Sequence, residues 1–365
     1  DYKKRDKNMK RRHVVKHSML LSAGTSLLPL SNSFASPALD SGPLQESWFC
    51  KSLDPKGHRI LHDQEGWNVW GCSPIYDDKG RVHVFFSRWP GDHGNWLSKS
   101  EIAHAVADKP EGPYKVLGTV LKGRGEGYWD ADTIHNPTIH KVGDRYAMVY
   151  IGNSMAGGQM WRDRAQYANT QKIGIALADS LDGPWERISD EPIINTSANP
   201  RNWDSYCVVN PSLLLHPNGQ FWLYYRAWDR DNDNMRKTGL AIADNLEGPY
   251  HKYEGNPIID NQRFKKNAQC EDPYFFYYED RFHCIIKDMG LRNYHSGLYF
   301  HSEDGMNWSE PQQAYHLSTH YFDEPEKQRF ERPQILMKDG KPDYLFCALM
   351  GGAHHSSGAV LKIHV

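Results

Sequence analysis

Five times along this 365-residue chain one unit returns: an Xaa-Pro step, a short apolar run, a turn with Gly or Asp, and a second run rich in aromatics. The copies are SPIYDDKGRVHVFFSRW from Ser73, NPTIHKVGDRYAMVYIGN from Asn136, NPSLLLHPNGQFWLYYRAW from Asn210, DPYFFYYEDRFHCIIKDM from Asp272 and RPQILMKDGKPDYLFCALM from Arg332. Their prolines, at 74, 137, 211, 273 and 333, stand 63, 74, 62 and 60 residues apart. A long period of this kind means that each unit buries its apolar face on the next. Paired runs of β-branched and aromatic residues around a turn read as β-hairpins. Proline at the start of a strand removes only one ladder donor and is tolerated there.

A further element follows the first three hairpins: AHAVADKPEGPY from Ala103, GIALADSLDGPW from Gly174 and GLAIADNLEGPY from Gly239. A weaker copy, GLYFHSEDGMNW, starts at Gly297. Each reads as a third strand, a tight Gly-Pro turn and an aromatic that opens a fourth strand. Four antiparallel strands per unit make a propeller blade. The expected fold class is all-β, a five-bladed β-propeller with four antiparallel strands per blade. After the fifth hairpin only AVLKIHV, from Ala359, remains. The missing outer strand is expected from the N-terminal segment, near Cys50 or Arg59–His62, which would close the ring and cover its terminal edges.

The first 38 residues read as an address. Residues 9–38, MKRRHVVKHSMLLSAGTSLLPLSNSFASPA, combine a basic start, a modest apolar run and small residues near Ala35. That is an export-signal pattern, and Arg11-Arg12 ahead of it is twin-arginine-like. Met9 reads as a natural start and residues 1–8 as an upstream extension. Residues 39–365 are expected to be a single catalytic propeller domain in the periplasm or outside the cell. Residues 1–35 hold 8 Lys or Arg and 2 Asp, leaving 35 basic and 43 acidic residues in the rest of the chain. An acidic body without a basic stripe argues against nucleic acid. No apolar run reaches the roughly 18 residues of a membrane span. The six cysteines include no CxxC, and the 19 histidines no HExxH, so no metal or other cofactor is expected. One cysteine pair could oxidise in an exported protein.

In a blade, the start of the innermost strand and the end of the second strand meet at one mouth of the central axis. The starts bring His135 and Asn136, Asn210, Glu271 with Asp272, and Glu331 with Arg332. The ends bring Arg88, Arg226 and Lys287, and the approaches to blades two and three add Trp129 with Asp130 and Trp203 with Asp204. Carboxylates, cations and indoles together suit carbohydrate chemistry. Paired carboxylates cleave glycosidic bonds, and arginine forks hold hydroxyls or oxyanions. The candidate catalytic residues are Glu271, Asp272, Glu331, Asp130 and Asp204. The candidate substrate contacts are Arg332, Arg226, Arg88, Asn136, Asn210, His135, Trp129, Trp203 and Lys287. Alternatively, Asp130 and Asp204 could satisfy local N–H groups, Trp129 and Trp203 could pack between blades, and Glu331-Arg332 could be a structural ion pair.

The ADxxxGPY/W elements and the Glu-Asp-Pro step of blade four resemble the five-bladed propeller glycoside hydrolases, the group of families 43, 32 and 117. The resemblance spans all five blades. It implies a general-acid role for Glu271, two residues before the blade-four proline. The aspartates that family 43 keeps before the prolines of blades one and three are replaced here by Ser73 and Asn210. The base is therefore sought among the other carboxylates.

The function expected is an exo-acting glycoside hydrolase that releases a terminal sugar. By resemblance its substrate is a marine galactan or an arabinofuranoside. The cations Arg88, Arg226, Arg230, Lys287 and Arg332 suggest an anionic or heavily hydroxylated one. A polysaccharide lyase acting on uronates and a non-catalytic glycan-binding propeller are the alternatives. The carbohydrate is the one partner expected.

Overall fold

The computed structural model describes residues 42–154, 170–229, 234–324 and 328–365. These belong to one compact unit, Pro37–Val365. The export-signal reading and Arg230 fall outside the described residues.

Among the described residues there are five antiparallel four-stranded sheets, and in blades one to four the strands are ordered as the chain runs. Blade one is Trp67–Tyr76, Val82–Pro90, Glu101–Ala107 and Lys115–Leu121. Blade two is Thr133–Val142, Arg145–Asn153, Lys172–Ala178 and Glu186–Arg187. Blade three is Cys207–Leu215, Phe221–Trp228, Lys237–Ala243 and His251–Lys252. Blade four is Gln269–Tyr278, Arg281–Met289, Gly297–Ser302 and Gln312–Tyr315. Blade five takes Gln328–Lys338, Lys341–Gly351 and Ser356–Lys362, and its outermost strand is His58–Ile60. That strand pairs His58 with Val360 and Ile60 with Gly358. The five sheets form a ring, a β-propeller.

The second strands read as nearly unbroken apolar runs because each sheet is covered on both faces by its neighbours. A separate cluster of buried side chains fills each junction between blades. At the junction of blades three and four, Tyr224 stacks on Phe275 with centroids 3.7 Å apart. Where blade five meets blade one, Phe346 and Val360 pack with Val69 and Val84. The Gly-Pro turns of the first three blades share a left-handed glycine (Gly112, Gly183, Gly248) and a cis proline.

Every inner strand breaks register at a matched position, Trp70/Ser73, His135/Thr138, Val209/Ser212, Glu271/Tyr274 and Glu331/Gln334, and that of blade five breaks again at Leu336/Met337. The residue at the start of each matched break is left-handed: Gly71, Asn136, Asn210, Asp272 and Arg332, with φ between 50° and 61°. This column corrects the alignment made from the prolines. Gly71, not Ser73, matches Asn210 and Asp272. Ser73 instead matches Ser212, and both bind the next blade. Ser73 Oγ accepts from the Ile139 N–H at 2.9 Å, and Ser212 Oγ from the Phe275 N–H at 3.0 Å.

All six cysteines are buried and unpaired, so the possible disulfide is absent. No helix of the described residues is long and apolar enough to cross a membrane.

Candidate active site

The inner-strand starts and second-strand ends enclose a cavity of about 660 Å³ on the propeller axis. The bulge column contributes a hydrogen-bonded ring to it. Asn136 Nδ2 donates to Asn210 Oδ1 at 3.1 Å, and Asn210 Nδ2 to Asp272 Oδ1 at 2.6 Å. The Arg332 N–H donates to Asp272 Oδ2 at 3.0 Å, and Arg332 Nη2 reaches the Asn136 carbonyl at 3.4 Å. Gly71 completes the column, where a Cβ would stand 3.2 Å from Asn136 Oδ1. Left-handed backbone suits Gly, Asn and Asp. Arg332 accepts that conformation with its side chain buried against Asp272, 3.9 Å away.

Two further carboxylates line the cavity, on neighbouring blades. Glu271 is ion-paired with Arg226, and its other oxygen lies 3.4 Å from Arg236 Nε. Glu331 accepts from Lys287 Nζ at 2.7 Å and Arg329 Nε at 2.6 Å. Burial alone would raise the Glu331 carboxyl; the Lys287 ammonium and Arg329 guanidinium outweigh it and hold the group below the usual carboxylate range. The pairing runs between blades rather than across a strand pair: Glu271 sits opposite Lys287 within blade four, but Arg226 reaches Glu271 of the next blade and Lys287 reaches Glu331 of the next. Trp228 holds the two arginines of blade three, with Arg226 Cζ 5.0 Å and Arg236 Cζ 5.4 Å from its ring centroid.

His135 also lines the cavity. Gln171 Nε2 donates to its Nε2 at 2.9 Å, and Trp96 packs edge-on at 5.0 Å. Burial, aided by the nearby Arg332 charge, lowers its pKa to about 3, so the ring is neutral. One wall is the loop and short helix from His93 to Lys99, which Asn153 anchors through the Leu97 carbonyl at 3.0 Å. Another is the Tyr294–His295 turn. Asp288 shapes it by accepting from the N–H groups of Leu291, Arg292 and Asn293.

Of the sequence candidates, Glu271, Asp272, Glu331, Asn136, Asn210, His135, Arg226 and Lys287 line this cavity, and Arg332 lies in the ring beside it. Five others do not. Asp130 is fully buried between Arg124 (2.6 Å), Arg187 (2.7 Å) and the Tyr150 hydroxyl. Asp204 is held by Lys252 at 2.5 Å and the Tyr225 hydroxyl at 3.3 Å. Trp129 stacks on Tyr150 and Trp203 on Tyr225. These Trp-Asp steps are thus one repeated device. The indole covers the second-strand tyrosine, and the carboxylate joins its hydroxyl to a cation of the outer strand. Arg88 pairs with Glu101 at 2.8 Å and lies over Trp67, outside the cavity.

The sequence reading missed Arg236, Arg329, Trp70, Trp96, Gln171 and His295, which also line the cavity. Arg329 carried a legible signal, since it stands two residues before Glu331 on the same face of a strand. The others sit off the repeated motif. Among the described residues, two sets have metal-ligand spacing: Glu46, Cys50 and His316, and His83, His104 and Asp182. Neither lines the cavity.

Comparison with known proteins agrees with this architecture. Residues 196–349 match the glycosyl hydrolases family 32 N-terminal domain. An extracellular endo-α-(1→5)-L-arabinanase of Bacillus subtilis is 23% identical over 221 residues, covering 57% of this chain. The matched region spans 42% of that relative's length. A family 117 glycoside hydrolase of the marine bacterium Zobellia galactanivorans superposes with a TM-score of 0.66 at 17% identity, covering 85% of this chain and 90% of that one. An endo-arabinase of Bacteroides thetaiotaomicron superposes with a TM-score of 0.52 at 14% identity, covering 81% and 94%. The chain thus has the five-bladed propeller fold of these glycoside hydrolases and is similar to members of the group in sequence over part of its length.

Proposed function

We propose that this protein hydrolyses a glycosidic bond in the axial cavity and releases a terminal sugar. The observation that carries the reading is the presence of two carboxylates, Glu271 and Glu331, on adjacent blades of one cavity. Asp272 is less suited to act on substrate, because Asn210 and the Arg332 N–H already engage its two oxygens. Glu331, held ionised by Lys287 and Arg329, is the base or nucleophile; Glu271 is assigned as proton donor from the family resemblance, a role that requires bound substrate to draw Arg226 and Arg236 off its carboxylate. The remaining ring members position these groups. The pocket supports an exo mode, since about 660 Å³ suits one or two sugar units. Arabinofuranosides and marine galactans lead the candidates, by the activity the arabinanases are named for and the marine source of the family 117 relative. Residues 1–38 would direct the protein out of the cytoplasm by the twin-arginine route, leaving the propeller as the mature enzyme.

The test is product analysis by mass after incubation with arabinan, red-algal galactan and uronate-bearing oligosaccharides. A saturated monosaccharide is expected, lost with either Glu271→Gln or Glu331→Gln. Removal of a general acid or base costs on the order of 100- to 10,000-fold. A substrate with a good leaving group needs no proton donor, so it should restore turnover to Glu271→Gln and not to Glu331→Gln. Undiminished turnover in both variants would remove the assignment. Glycan binding without product would make the molecule a binding propeller.

A further inference from the structure

The cavity carries more positive charge than its carboxylates need. Among the described residues around it, Asp272 is faced by Arg332, while Glu271 and Glu331 are each approached by two cations. One cation would neutralise each glutamate, so two positive charges are left over. The arrangement opposes itself. Burial and the like charge of Arg236 bring Arg226 down to about 10. Arg226 Nε is buried without a partner. Lys287 and Arg329 likewise lower His295, behind its burial. Uncompensated buried charge is costly, and a bound anion would relieve it.

We propose that the cavity takes a glycan bearing an oxyanion, a sugar carboxylate or a sulfate ester, seated between Arg226 and Arg236 of blade three and Lys287 and Arg329 of blades four and five. The proposal rests on reading the cavity as a glycan site. Both groups present coplanar or clustered oxygens that match guanidinium forks. A neutral sugar would leave the surplus charge in place. The oxyanion would compete with Glu271 and Glu331 for the same donors, so its arrival would also loosen those carboxylates for their chemistry.

The experiment is calorimetric titration of the full protein with galactose, galacturonate and galactose sulfate, which lack a glycosidic bond. At least one anionic sugar should bind about tenfold or more tightly than galactose, the factor that one charge-assisted hydrogen bond supplies. The preference should narrow in Arg236→Gln and with added salt. The carboxylate and sulfate arms separate the two sources. Equal affinity for the three sugars, or no binding by any, would overturn the proposal. Hydrolysis is scored separately on matched neutral and anionic oligosaccharides. Neutral glycans cleaved as fast as anionic ones would sink the anion preference and leave the hydrolase reading intact. Anionic glycans bound without cleavage would do the reverse. Products lighter than hydrolysis products by one water would mark elimination, keeping the anion site and replacing hydrolysis with a lyase reaction.

Discussion

Single residues divide into those that face the cavity and those that look catalytic but hold blades together. Glu331 belongs to the first class, and its ionisation gives it a pH signature. Its folded pKa lies below the ordinary value of 4.5. Its pairing therefore stabilises the fold above that value and is lost as pH falls through the lowered one. The melting temperature of wild type should exceed that of Glu331→Gln by a constant margin from pH 6 to 8, with the margin shrinking only below about pH 4.5. A margin that already closes near pH 6 would contradict the pairing. Asp130 belongs to the second class. Asp130→Asn removes a fully buried carboxylate from two guanidiniums and should destabilise by about 3 kcal/mol. Turnover per folded molecule should stay at wild-type level, and chemical denaturation beside active-fraction kinetics checks both halves. The two classes look identical in sequence, because each is a carboxylate beside an aromatic or a proline.

At the level of the element, the repeat was legible down to its strands. The hairpins, the third strands and the Gly-Pro turns stand where the alternation of apolar runs and turn residues placed them. One glycine of the repeat has a reason that local pattern does not supply. A Cβ on Gly239, in the third strand of blade three, would meet the Trp203 ring at 2.6 Å. Gly174 stands in the same relation to Tyr150 and Trp129. The third strands of blades two and three thus carry glycine to let the indole of the Trp-Asp step lie flat. Gly239→Ala should lower stability by roughly 1–3 kcal/mol through overpacking, readable as a reduced denaturation midpoint. An unchanged midpoint would mean that Trp203 moves freely. The blade-one site residue was misplaced for an elementwise reason too. The bulge has the same size in both blades, but the proline does not keep its place beside it: Pro74 follows its column residue by three positions and Pro137 by one.

Across the whole molecule, the outer strand of blade five comes from His58–Ile60, ahead of blade one in the chain. Arg59, on the N-terminal strand, binds Glu324 at 2.7 and 2.5 Å, Ser357 Oγ at 2.8 Å and the Gly351 carbonyl at 2.8 Å. Arg59→Gln should lower the melting temperature by roughly 1–2 °C for each kcal/mol lost, because unfolding entropy grows with chain length. A chain beginning at residue 63 lacks His58–Ile60 and exposes the edge of Ser356–Lys362; it should aggregate. One beginning at residue 42 should remain monodisperse by size-exclusion chromatography. Equal behaviour of the two truncations would show that the strand is dispensable.

The number of blades, their strands and the mouth at which the inner-strand starts gather could all be read from the residues in order. Those features follow from local periodicity and turn chemistry, which neighbouring residues encode. Which of the gathered carboxylates meets the cavity was set by packing in three dimensions. Asp130 and Asp204 are turned away by Arg187 and Lys252, which reach them from outer strands far along the chain, while Glu271 and Glu331 are turned inward by the register of their bulges. Arg236 and Arg329 became part of the site in the same way. A side chain's partner across a ring is set by packing and register, and a single sequence does not display those distances.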